Sequence, residues 1–255
     1  MLAVISSHLD SEATTLVKRW AAHGAAILTC KDLSRPGWSY FQGDKRSSRA
    51  VISGSVVPVT EIRGVLTRRP RIFEAELGHI AAADRAYVAA EMNAFLVCWL
   101  AALRVPVLNP PTATCLSGPE WGPQQWAYLA HSLGIPTQPL QWSISADREP
   151  AECKRNAAPA TTVTVTVVDK RCFNAPDKVI KSQALSLAAA AGVRFLAVEF
   201  NLSTHPPVFQ GARTFPKLAD PAISDALLQA LLPKRSRGTS RAGTRRWPSK
   251  RKSRK

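Results

Sequence analysis

The residues that could do chemistry in this 255-residue chain are few and scattered. Five histidines (8, 23, 79, 131 and 205) stand singly, and no H-E-x-x-H occurs. Five cysteines (30, 98, 115, 153 and 172) are odd in number and form no Cys-x-x-Cys pair. That argues against a zinc ribbon or disulfide framework and for a reducing, cytoplasmic setting. There is no G-x-G-x-x-G, no G-x-x-x-x-G-K-[ST] and no G-x-S-x-G, so neither a dinucleotide fingerprint, a P-loop nor a nucleophile elbow is present. What stands out is Arg68-Arg69, two guanidinium groups closing an apolar run. Such a pair suits a phosphate or carboxylate held bidentately. Ion pairing with Glu74 or Glu76 is an equal alternative.

The net charge of +16 is concentrated in the last 23 residues, which carry eleven Lys or Arg and no acid. Without them the chain is only mildly basic, at +5. Residues 233–255 have almost no aliphatic side chains to offset their ordering entropy, so a disordered tail is expected. An unopposed polycation of this kind binds nucleic acid or an acidic partner in a salt-dependent way. A solubilising extension is the plain alternative. Seven tryptophans invite a base-stacking reading, but all except Trp247 lie in apolar patterns or beside Pro/Gly turns, which favours core packing.

The elements that would position these residues follow an α/β rhythm. Leu2 to Ser6 reads as a buried strand, Asp10 as the N-cap of a helix, and 25–30 as a second strand, together a right-handed βαβ unit. Residues 49–59 read as two strands around Ser53-Gly54, 64–69 as a strand, and 82–103 as a long helix. "VPVLNPP" (105–111) reads as a buried strand stopped by prolines and 122–134 as a helix. Residues 143–160 are polar and Pro/Ala-rich, as in a linker. "TTVTVTVV" (161–168) alternates strictly, which predicts an antiparallel strand with one wet face. A helix to Ala191, strands at 193–200 and 207–213, and a helix at 220–232 complete the pattern. The most apolar stretch, 94–103, is ten residues, about half of the ~20 that span a membrane. "MLAVISSHLD" has no basic n-region, so no membrane or secretory role is expected.

The order of these segments resembles the ATP-grasp superfamily, specifically the RimK-like and microviridin-type peptide ligases. Residues 1–142 resemble the pre-ATP-grasp domain through four stretches in the family's order. These are "VTEIRGVLTRRP" (59–70), "AYVAAEMNAFLVCWLAAL" (86–103), "VPVLNPP" and "QQWAYLAHSLGIPTQP" (124–139). Residues 161–232 resemble a reduced C-terminal half. The implied fold is α/β: an open, mainly parallel N-terminal sheet flanked by helices, then a smaller α+β part with an antiparallel sheet, then the basic tail. The implied activity is ATP-dependent joining of a carboxylate to an amine on a peptide through an acyl phosphate, with ATP and Mg2+ as cofactors.

The resemblance makes Arg68 and Arg69 the candidate cofactor-binding pair. It makes Glu199 and Asn201 the candidate metal ligands, because the family holds magnesium through a strand carboxylate and a Glu-x-Asn. In one register Glu199 is the first carboxylate, but 208–212 then lacks a Glu-x-Asn. In the other, Glu199-Phe200-Asn201 is that motif and the first carboxylate lacks a counterpart. Glu199 facing solvent is the bland alternative. The family's central lobe, with two nucleotide-gripping lysines, has no counterpart beyond the 143–160 linker with Lys154 and Arg155. The lysine expected before the "GIPT" stretch is replaced by Glu120 to Gln125. Each lost donor removes about 2.7–4 kcal/mol of transition-state stabilisation in comparable sites. The expectation is therefore a divergent, shortened ATP-grasp-like protein that binds ATP and Mg2+ weakly or serves as partner to a complete ligase. The alternative is a non-enzymatic protein that docks on nucleic acid or an acidic partner through 233–255.

Overall fold

The computed structural model describes residues 1–138 and 161–232. Four short apolar segments form an all-parallel sheet, the two central ones wholly buried on both faces and the two edge ones partly buried. Strand β1 (Leu2–Ile5) is wholly buried. Helix α1 (Ser11–Arg19) starts where the Asp10 carboxylate accepts from the Ala13 N–H at 2.9 Å. The chain returns in strand β2 (Ala25–Leu28), parallel to β1. Helix α2 (Cys30–Leu33) leads to a hairpin of β3 (Arg49–Ile52) and β4 (Ser55–Pro58). Its turn residues, Ser53 and Gly54, both have positive φ (50° and 76°), the geometry a two-residue hairpin needs.

Strand β5 (Gly64–Thr67) pairs with the other side of β1. Helix α3 (Arg85–Ala102) and strand β6 (Val107–Leu108) complete the sheet in the order β2-β1-β5-β6. The 105–111 strand is shorter than its sequence suggests, two residues between Pro106 and Pro110, neither of which has an N–H for the ladder. Alternation sends Ala3 and Ile5 against Leu96, Trp99 and Leu100 of α3. It sends Leu2 and Val4 to the opposite face, against Leu16 of α1 and Trp20, the residue that caps its C-terminus. Fully buried Leu and Ile side chains of this kind each contribute about 1.5–3 kcal/mol.

After helix α4 (Pro123–Ser132), described residues resume with β7 (Thr162–Val168), β8 (Arg171–Phe173), α5 (Lys178–Ala190), β9 (Phe195–Asn201), β10 (Val208–Arg213) and α6 (Pro221–Leu231). The strands form an antiparallel sheet, β10-β9-β7-β8. Val165, Val167, Leu196, Val198 and Phe200 point to one face, which α4 and α5 cover through Trp126, Ala130, Ile180, Ala184 and Leu187. The opposite face is not wet along its whole length, contrary to the alternation of 161–168. Thr166 is 5% exposed. The reason is tertiary: at this end Val168 and Phe195 pack with Leu2, Val4 and Leu66 of the parallel sheet and with Leu227 and Leu231 of α6.

One buried side chain ties the two sheets together. Asn109 follows β6, and its Oδ1 accepts from the Arg194 N–H at 2.9 Å and the Phe195 N–H at 2.8 Å. Its Nδ2 donates to the Phe195 carbonyl at 2.7 Å. Among the described residues no helix is long and apolar enough to cross a membrane.

Candidate functional site

The carboxyl ends of parallel strands and the exposed face of an antiparallel sheet are the two places where this architecture presents polar side chains. Arg68 and Arg69 occupy the first. They leave β5 beside the end of β1, where the strand order reverses direction and crevices form in open α/β sheets. Each nitrogen of Arg68 has a partner: Nε donates to Asp10 at 2.9 Å, Nη2 to Glu12 at 2.8 Å, and Nη1 to the Pro216 carbonyl at 3.2 Å. Arg69 donates through Nε to the Arg71 carbonyl at 2.8 Å and pairs through Nη2 with Glu76. Its Nη1 is buried with no hydrogen-bond partner among the described residues, as is the Thr67 hydroxyl beside it.

The electrostatics follow from this pairing. Burial alone would raise the Asp10 carboxyl, but the Arg68 hydrogen bond and the Ala13 N–H outweigh it and hold the group below the ordinary carboxylate range. Glu76 behaves alike: burial pushes it up, while Ser7 and Arg69 pull it further down. Of the two pairings open in the sequence, Arg69 takes Glu76, and Arg68 reaches instead to the start of α1.

Glu199 and Asn201 lie on the antiparallel sheet. Period-two alternation places them on the same face as Thr162 and Thr164, their partners across β7, and as Gly211 and Arg213 of β10. This is the far end of the face that α6 covers near Thr166. A bulge at Gln210 shifts the register so that Arg213 lies diagonal to Glu199, and the two form an ion pair. Asn201 is buried, and its Oδ1 accepts from the Ser203 N–H at 2.8 Å. Arg213 and Thr164 are the residues that sequence reasoning missed. The strict Thr/Val alternation marked the threonine face, but the bulge that aims Arg213 left no sequence signal. Three residues beyond Arg213, Pro216 is the carbonyl that Arg68 holds, so one short segment joins both groups of polar residues.

The oxygen donors here do not amount to a magnesium shell. The exposed face offers one carboxylate, already neutralised by an arginine, and one amide oxygen committed to its own backbone. Among the described residues no three His, Cys, Asp or Glu stand close enough to hold a metal ion. Glu120, in the stretch where the resemblance implies a lysine, pairs with Arg71 at 2.5 Å.

No family model and no curated protein matches this sequence. Solved structures do match across nearly the whole chain. The macrocyclase MdnC of Microcystis aeruginosa MRC, bound with precursor peptide MdnA, superposes with a TM-score of 0.68 at 14% identity, over 91% of this chain and 99% of that one. The fold is that of the ATP-grasp ligases. A Chryseobacterium gregarium RiPP-associated ATP-grasp ligase, in complex with ADP and a leader and core peptide, gives 0.62 at 10% identity over 90% and 96%. The ATP-grasp ligase PsnB, complexed with a precursor variant, Mg and ADP, gives 0.61 at 14% over 90% and 98%. These structural neighbours are peptide-modifying ATP-grasp ligases. Linker 143–160, with Lys154 and Arg155, and tail 233–255 lie outside the described residues.

Proposed function

We propose that this protein is a divergent ATP-grasp relative that recognises a peptide and works beside a complete carboxylate–amine ligase rather than turning over ATP efficiently itself. The observation that carries this reading is the Arg213–Glu199 ion pair on the exposed end of the antiparallel sheet. An in-line phosphoryl transfer needs free oxygen ligands for the metal and cations aimed at a triphosphate of about four negative charges. Here the carboxylate is matched by an arginine from the next strand, and the candidate cofactor-binding guanidinium of Arg68 is spent on Asp10, Glu12 and Pro216. Arg69 Nη1 is the remaining donor for a phosphate or carboxylate oxygen. The face of Thr164, Glu199 and Arg213 retains what peptide recognition requires: a half-buried hydroxyl and acid beside an exposed base. The peptide-bound neighbours support the same assignment.

Calorimetry with ATP and magnesium, run beside an ADP-release assay with acidic and lysine-rich peptides, tests this. The expected result is millimolar nucleotide affinity, no peptide-stimulated ADP release, and measurable peptide binding. Peptide-dependent ADP release at enzymatic rates would overturn the partner role and make the chain a working ligase.

A further inference from the structure

The N-terminal half holds a cavity of about 540 Å3 that none of the candidate site residues lines. It lies where the C-terminal end of α3 meets the loop after α2, and its walls include Tyr40, Phe41, Cys98 and Trp99, with Lys45 and Arg104 at polar positions. Its volume lies within the 300–1,000 Å3 typical of small-molecule sites, and its mainly apolar wall with a few charged groups matches their usual composition.

We propose that this cavity binds a small organic anion with an apolar body, an aliphatic or aromatic carboxylate. The charge balance selects that class. Lys45 and Arg104 are exposed, and among the described residues neither has an ion pair or a side-chain hydrogen bond. No acid lines the cavity. The adjacent Asp44 is committed elsewhere: it accepts from the Arg46 and Ser47 N–H groups at 2.9 and 3.2 Å. Glu61 does not line the cavity, and its carbonyl accepts from the Met1 ammonium at 2.6 Å. A carboxylate at the mouth meets two cations while its hydrocarbon lies against Phe41 and Trp99.

The intact chain tests this with decanoate, decanol and decylamine as probes. Cys98 is exposed on the cavity wall, so its maleimide labelling, mapped by mass, reports occupancy beside calorimetry. Decanoate is expected to slow Cys98 labelling and to bind about tenfold tighter than decanol. Lys45→Met and Arg104→Gln should each weaken decanoate about two- to fivefold, as exposed charge pairs do. Ala102→Trp, which fills the cavity from its wall, should abolish binding with the circular dichroism unchanged. Equal binding of decanol and decanoate, or decanoate binding that leaves Cys98 labelling unaltered, would refute the proposal. So would the lack of decanoate binding at millimolar concentration. None of these outcomes bears on the ligase-partner reading, which rests on residues that do not line this cavity.

Discussion

Two clusters of arginine and carboxylate, one at the carboxyl end of the parallel sheet and one on the antiparallel sheet, look alike in sequence and differ in consequence. Around Arg68 the guanidinium itself is only 9% exposed, every one of its nitrogens is engaged, and its carboxylate partners lie 56 and 58 positions away. Around Glu199 a single pair joins diagonal neighbours on adjacent strands, and both side chains reach water. The first is a structural rivet and the second an exposed contact surface. What separates them is burial and the number of simultaneous partners, not residue type.

The sharpest way to break the comparison is Arg68→Ala. Removing the cation leaves Asp10 and Glu12 uncompensated and should cost about 3–5 kcal/mol, read from urea denaturation. Adding Asp10→Asn and Glu12→Gln to that variant should recover part of the loss, because the orphaned charges vanish. Asn109→Ala comes next. It strips partners from the Arg194 and Phe195 N–H groups and from the Phe195 carbonyl, and should cost about 2–3 kcal/mol by the same measurement.

The pH response divides the two regions more finely. Asp10 and Glu76 have folded pKa values held below their unfolded ones, so their contribution is fully present above pH ~4–5 and is lost as pH falls through the folded values. Stability measured between pH 6 and pH 3 should therefore drop. Glu76→Gln should flatten that drop. The smallest effect belongs to Arg213→Ala, which should change stability by less than ~1 kcal/mol because its ion pair is exposed. By freeing Glu199 it should raise, not lower, the affinity for Mn2+ in a calorimetric titration. A loss of several kcal/mol would instead place this pair in the same class as Arg68.

Much of the frame was legible because its signals are local. Asp10 caps α1 by a bond within three residues, and Ser53-Gly54 turns the β3–β4 hairpin with the dihedrals its residues favour. The parallel-then-antiparallel layout followed from continuous apolar runs in the first half and Thr/Val alternation in the second. The alternation misled at Thr166, since a periodic pattern records which residues share a face and not what later covers it. The sites were less legible for the same reason. Nothing near Arg68 in the chain shows that Asp10, already a helix cap, also accepts its guanidinium. The diagonal of Arg213 onto Glu199 depends on a one-residue bulge that no composition reveals.

Asn109 makes the two halves answer to each other. Its amide imitates a strand neighbour for the first residues of β9, so the antiparallel sheet begins on hydrogen bonds lent by the parallel one. Partial melting of either sheet would orphan groups in the other, which favours loss of both in a single event. In deuterium exchange the Arg194 and Phe195 amides should accordingly be among the slowest in the molecule, opening only when the whole chain lets go.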